Sequence, residues 1–209
     1  MVVYLRKIYY GAETFLFPLK IFDPGIFGVE LFREAATLIM LYAVSAAVFE
    51  KKILRFAGFI WGFAVWDIVY YVFLKLSINW PATIFDWDIL FLIPIAWASP
   101  VLVPLVCSLT MMLLAGIIFF YSAKRYSVIL SRLQITLLIT GSFVILISFL
   151  WDYGKLFFST PPARLQETIT HYVPHNFNWL LFFAGEALIL LSFWDLMKKL
   201  QDSNKKIIL

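Results

Sequence analysis

The chain has 209 residues, of which 63% are apolar and 14% charged, with a formal charge of +4. A soluble domain of that size buries only about 70% of its unfolded surface, so it could not hide this much apolar area and the excess must face lipid. The positive charge is spread along the chain rather than gathered, which argues against nucleic acid as a partner, and the single Cys107 excludes an intramolecular disulfide.

Residues 1–28 mix aromatic and apolar residues with Arg6, Lys7, Glu13, Lys20 and Asp23, and are broken by Pro18 and Pro24. Spanning needs about 20 apolar residues, and none of these windows is long enough. The expectation is an interfacial segment. Met1–Tyr10 has neither an apolar h-region nor a small-residue cleavage site, so no cleavable signal peptide is expected.

Five long apolar runs bounded by charge follow, at residues 29–49, 54–74, 101–121, 133–151 and 179–196. The predicted fold class is therefore all-α, an integral membrane bundle of about five transmembrane helices. The stretch from Ile89 to Tyr121 is apolar for roughly 33 residues, about 50 Å as helix. That is too long for one span and too short for two with a turn. Pro94 and Pro100 divide it, and residues 87–98 are expected to form a short re-entrant or interfacial helix packed on the bundle. A tilted sixth span is the alternative. Residues 198–209 form a basic tail.

The loop cations set the expected orientation. Lys51, Lys52, Arg55, Lys124, Arg125, Arg132, Lys198, Lys199, Lys205 and Lys206 fall on one side, with Glu50, Asp195 and Asp202. The other side has more acids than cations. The first side is expected to be cytoplasmic, which puts the N-terminus outside, the C-terminus inside and the loops 75–100 and 152–178 outside. The expected location is the cytoplasmic (plasma) membrane. Trp-Asp occurs four times, at Trp66-Asp67, Trp87-Asp88, Trp151-Asp152 and Trp194-Asp195, and a duplicated two-helix hairpin would account for part of this.

Ionisable groups within a bilayer are costly and usually face the bundle or a wet pocket. Asp67 and Glu186 lie at matched depth on two spans, each about 12 Å below the outer edge. Glu30, Arg33, Glu34 and Thr37 make one stripe at the outer end of the first span. Tyr70 and Tyr71 lie one turn above Asp67, and Asp152 closes the fourth span above Ser148. The candidate polar cluster is Arg33, Glu34, Asp67, Tyr70, Tyr71, Asp152 and Glu186. Arg33 is the one cation placed to meet Glu34, Asp67, Asp152 and Glu186, so at least one carboxylate holds a proton, meets water or awaits a cation. The simplest pairing joins Arg33 to Asp67 or Glu186 and fixes helix register.

His171 and His175 are weak metal candidates, with Glu167 as a third ligand, but Pro174 breaks their helical spacing. No span has a histidine at its centre, which disfavours haem; Met40, Met111 and Met112 read as packing residues, and the sequence names no cofactor. Ser108 and Thr110 have no histidine in reach, and phosphate-loop, zincin and serine-hydrolase motifs are missing.

The runs Phe32-Arg33-Glu34-Ala35-Ala36, Trp66-Asp67-Ile68-Val69-Tyr70-Tyr71, Trp80-Pro81 and Trp87-Asp88-Ile89-Leu90-Phe91-Leu92-Ile93-Pro94 resemble a pattern in uncharacterised prokaryotic multi-pass membrane proteins. The resemblance covers roughly residues 30–110. It implies the same topology and no assigned activity. Two functions fit the residues. One is a non-catalytic subunit or scaffold of a membrane complex, held by an ion-pair cluster and partnered by other membrane subunits. The other is a small proton- or cation-linked carrier using Asp67 and Glu186, for which a homo-oligomer is expected. A membrane-embedded enzyme is a distant third.

Overall fold

The computed structural model describes residues 24–91, 96–124 and 126–208. The interfacial segment expected over residues 1–28 lies almost wholly outside the described residues. Five helices are long and apolar enough to cross a membrane: α1 (Pro24–Val48), α2 (Lys52–Ile78), α3 (Leu102–Ala123), α4 (Arg132–Ser159) and α6 (Trp179–Ile208). A short amphipathic helix, α5 (Pro162–His171), joins the last two. The basic tail continues α6 to Ile208.

The helices form two antiparallel hairpins. Along α2 and α3, Ala57 and Ile60 pack with Ala115 and Ile118 at one end, and Leu74 packs with Val101 at the other. α4 and α6 approach more closely. A Cβ on Gly141 would stand 2.8 Å from the Gly185 carbonyl oxygen, and one on Gly185 would stand 2.7 Å from that of Gly141. Lipid supplies no hydrophobic drive between helices, so small residues that admit such contact carry the association. Buried Gln134 donates to Asp195 (2.8 Å) and accepts at its carbonyl from Ser192 (3.2 Å), tying the start of α4 to α6. The Gln134 side chain also completes a capping box with Ser131 that satisfies the first turn of α4. α1 packs chiefly on α2, and the turn between them is held by Ser45 donating to the Arg55 carbonyl at 2.6 Å and Arg55 to that of Phe49 at 2.7 Å.

Residues 87–98 correct the expectation of a short helix. Two strands, β1 (Trp87–Ile89) and β2 (Ala98–Pro100), pair antiparallel with Asp88 opposite Ser99. The ladder extends outward through Leu90 to the Trp97 carbonyl (2.8 Å), Val101 to Asp86 (2.9 Å) and Leu102 to Ile84 (2.8 Å). Buried backbone must find partners within the protein. A hairpin supplies them across the two arms, whereas Pro100 cannot donate inside a helix. The approach to β1 is fixed by Asp86, whose carboxylate accepts from the Ala82 amide (2.7 Å) and the Thr83 hydroxyl (2.8 Å). This hairpin packs on α3 and α4 and meets α2 through the Tyr71 hydroxyl, which donates to Asp88.

The helix that carries the fourth apolar run continues past Asp152. Leu156, Phe157 and Phe158 carry α4 on to Ser159, where Pro161 halts it.

Candidate functional site

A cavity of about 100 Å³ lies where α1, α2, α3, the hairpin and α4 converge. Such a volume admits a few waters or a small ligand. α1 contributes Arg33 and Glu34, α2 contributes Asp67, Tyr70 and Tyr71, and the hairpin contributes Asp88. Five of the seven expected cluster residues therefore line one cavity.

The carboxylates are held by hydroxyl donors. Ser108 on α3 donates to Asp67 at 2.9 Å, and Tyr71 donates to Asp88 at 3.0 Å. The second Asp88 oxygen accepts from the Ile89 amide at 2.8 Å. Glu34 and Asp88 are each only 2% exposed, and Asp67 is 9% exposed. Tyr71 sits one turn beyond Asp67, so a single face of α2 presents a carboxylate and a phenol to the same space. Hydrogen bonds of this kind contribute about 0.5–1.5 kcal/mol each, enough to favour these rotamers.

Glu186 reaches α3 from the other flank. Thr110 donates to it at 2.9 Å, and its second oxygen has no hydrogen-bond partner among the described residues. The thiol of Cys107, a weak donor, lies beside it. Cys107 and Ser108 line the cavity, while Glu186 stands behind Cys107. The matched depth of Asp67 and Glu186 thus has a physical basis, since both anchor to hydroxyls two residues apart on α3.

Arg33, expected to pair with Asp67 or Glu186, lines the same cavity as Asp67. Asp67 is bound by Ser108 and Glu186 by Thr110. α1, which carries Arg33, packs chiefly on α2.

Asp152 lies apart from the cavity lining and accepts a hydrogen bond from Tyr172 beyond α5. Burial pushes the Tyr172 phenol up to about 12, with the neighbouring Asp152 charge and hydrogen bond adding to it. His171 and His175 are both exposed; the His171 ring meets the Glu167 carbonyl at 2.8 Å. Among the described residues no three His, Cys, Asp or Glu side chains gather as metal ligands.

The walls between the polar groups are aromatic. Ring contacts run without a gap from Phe149 to Trp97, Phe91, Phe63, Trp66 and Tyr70. Three of these contacts are stacked, with centroids 5.9–6.2 Å apart. Aromatic faces carry partial negative charge. With Glu34, Asp67 and Asp88 against Arg33, the cavity combines an excess of acid with faces that attract cations.

Sequence reasoning missed Asp88, Cys107, Ser108 and Thr110 as site residues. Asp88 carried a usable signal, since it belongs to a second Trp-Asp pair set in an apolar run. No protein-family model, curated protein or solved structure matches the chain.

Proposed function

We propose that the protein is a small carrier that binds a proton or a monovalent cation at Asp67, within a cavity in the outer half of a five-span bundle. The observation that carries this reading is the position of Asp67. It faces an aromatic, acid-rich cavity and is held there by a neutral hydroxyl, leaving its charge to be met by whatever occupies the space. The hairpin covers the outer end of the cavity, and Glu186 behind Cys107 supplies a second acid on the route across α3.

In this reading the chain lies in the cytoplasmic membrane, with its N-terminus outside and its C-terminus in the cytoplasm. The cation arrives from outside past Glu34 and Asp88, displaces water, and meets Asp67 beside the stacked rings of Trp66 and Tyr70. The subunit reading keeps one favouring observation. α1 packs chiefly on α2 and leaves Phe32, Ile39 and Tyr42 exposed, a face that another membrane helix would cover.

Purified protein in proteoliposomes tests the carrier. The expected result is proton or monovalent-cation flux above that of empty vesicles, with Asp67→Asn abolishing it while remaining folded and inserted. Wild-type protein that is reconstituted, folded and silent toward protons, sodium, potassium and ammonium would contradict the proposal. A stoichiometric partner recovered by mild-detergent extraction would then favour the subunit.

A further inference from the structure

At the opposite end of the bundle, Ala57 and Ile60 of α2, Leu114 and Ile118 of α3, and Phe193 and Leu196 of α6 share one core. α2 packs on α1 and α3 and α4 packs on α6, while α2 and α4 face each other across a groove of about 940 Å³. Its walls are Phe56 on α2 and Leu138, Ile139, Phe143 and Leu146 on α4, with Lys52 at its mouth. The sole other polar side chain on the walls is Ser142.

We infer that this groove is a binding site for one anionic phospholipid, its acyl chain between α2 and α4 and its headgroup at Lys51 and Lys52. Three observations support that occupant over a helix or a second copy. The first is length. From Ile135 to Leu146 the wall runs about 16 Å along the α4 axis, close to the hydrocarbon depth of a single leaflet, half of roughly 30 Å. A partner helix would need a groove running the full thickness.

The second is charge. Lys51, Lys52 and Arg132 open the two helices at this end, all exposed, and Glu50 is the one acid in residues 49–55 and 126–134. Both helices also start here, so their N-terminal dipoles add positive potential at the same surface. The third is the floor. Val128, Ile129 and Leu130 of the α3–α4 connection line the groove, so its basic end is walled by apolar side chains beneath a charged rim. That profile matches a headgroup above a chain. An empty apolar slot of this size would forfeit the dispersion contacts of its lining.

The test uses the full chain, purified and stripped of lipid in mild detergent. Phosphatidylglycerol and phosphatidylcholine with identical acyl chains are titrated while melting temperature and bound lipid (by native mass spectrometry) are followed. The expected result is one tightly held phosphatidylglycerol that raises the melting temperature, with phosphatidylcholine weaker. Lys51→Gln with Lys52→Gln should weaken phosphatidylglycerol by about five-fold per charge removed and leave phosphatidylcholine unchanged. Ser142→Phe, which fills the slot, should weaken both. Equal effects of the two headgroups in the wild type would overturn the proposal, and that comparison needs no variant to fold. Efficient disulfide cross-linking of Ile139→Cys between two chains in membranes would also overturn it, assigning the groove to a second copy.

Discussion

Two residues show how differently the bundle treats its acids. Asp67 faces the cavity and is held by one serine, whereas Asp152, also preceded by tryptophan, is turned outward to Tyr172. The latter contact makes a pH prediction with a definite sign. The Tyr172 phenol is raised to about 12 in the fold, against about 10 when unfolded. The folded state therefore holds the proton more tightly. The contribution is complete below pH 10 and is lost as pH rises from about 10 through about 12. Melting curves between pH 9 and pH 11 should fall more steeply for the wild type than for Tyr172→Phe. Parallel profiles would show that this phenol does not anchor the outer segment. Asp67 and Glu186 were legible because a carboxylate flanked by apolar residues at mid-span stands out in any linear reading. Ser108 and Thr110 were not, since hydroxyls are common in transmembrane helices and only the meeting of helices shows which ones face an acid.

At the scale of elements, the five spans were readable because lipid demands about 20 consecutive apolar residues, and no soluble context competes for that pattern. The hairpin at Trp87–Ile89 and Ala98–Pro100 was not. A short apolar run has no period that separates strand from helix, and the choice is made by cross-strand bonds from Ile84 to Leu102 that no single window contains. Asp88 was consequently placed only in the loop over residues 75–100, whereas it is buried against Tyr71. The Ser131-to-Gln134 capping box, by contrast, is a local pattern and lay open to reading. Helix contact yields a graded prediction. Gly141→Leu would force α4 away from the Gly185 carbonyl and should cost about 2–3 kcal/mol. Gly116→Ala on α3 meets nothing within 4 Å and should be neutral or stabilise by about 0.5–1 kcal/mol. Unfolding in detergent would measure both, and equal effects would refute the close α4–α6 crossing.

Over the whole molecule, the two antiparallel hairpins divide the polar work. One half of the bundle gathers Glu34, Asp67, Asp88 and Glu186, while the other end carries Gln134 and Asp195 beneath a basic rim. The proposed orientation follows from that rim, and reporter fusions should give cytoplasmic activity after Lys199 and external activity after Thr160. The reverse pattern would invert every direction assigned to the carrier. The carrier itself rests on Asp67 as a cation-binding group whose charge is not needed to hold the fold. Titration of the purified chain with ammonium and sodium, read by tryptophan fluorescence beside thermal melting, tests this most directly because Trp66 and Trp97 line the cavity. The account predicts a saturable response to at least one cation that disappears in Asp67→Asn while the melting temperature stays within about 2 °C, under 1 kcal/mol for a chain of this size. A variant that melts far lower and still responds as the wild type does would contradict it, making Asp67 part of the scaffold.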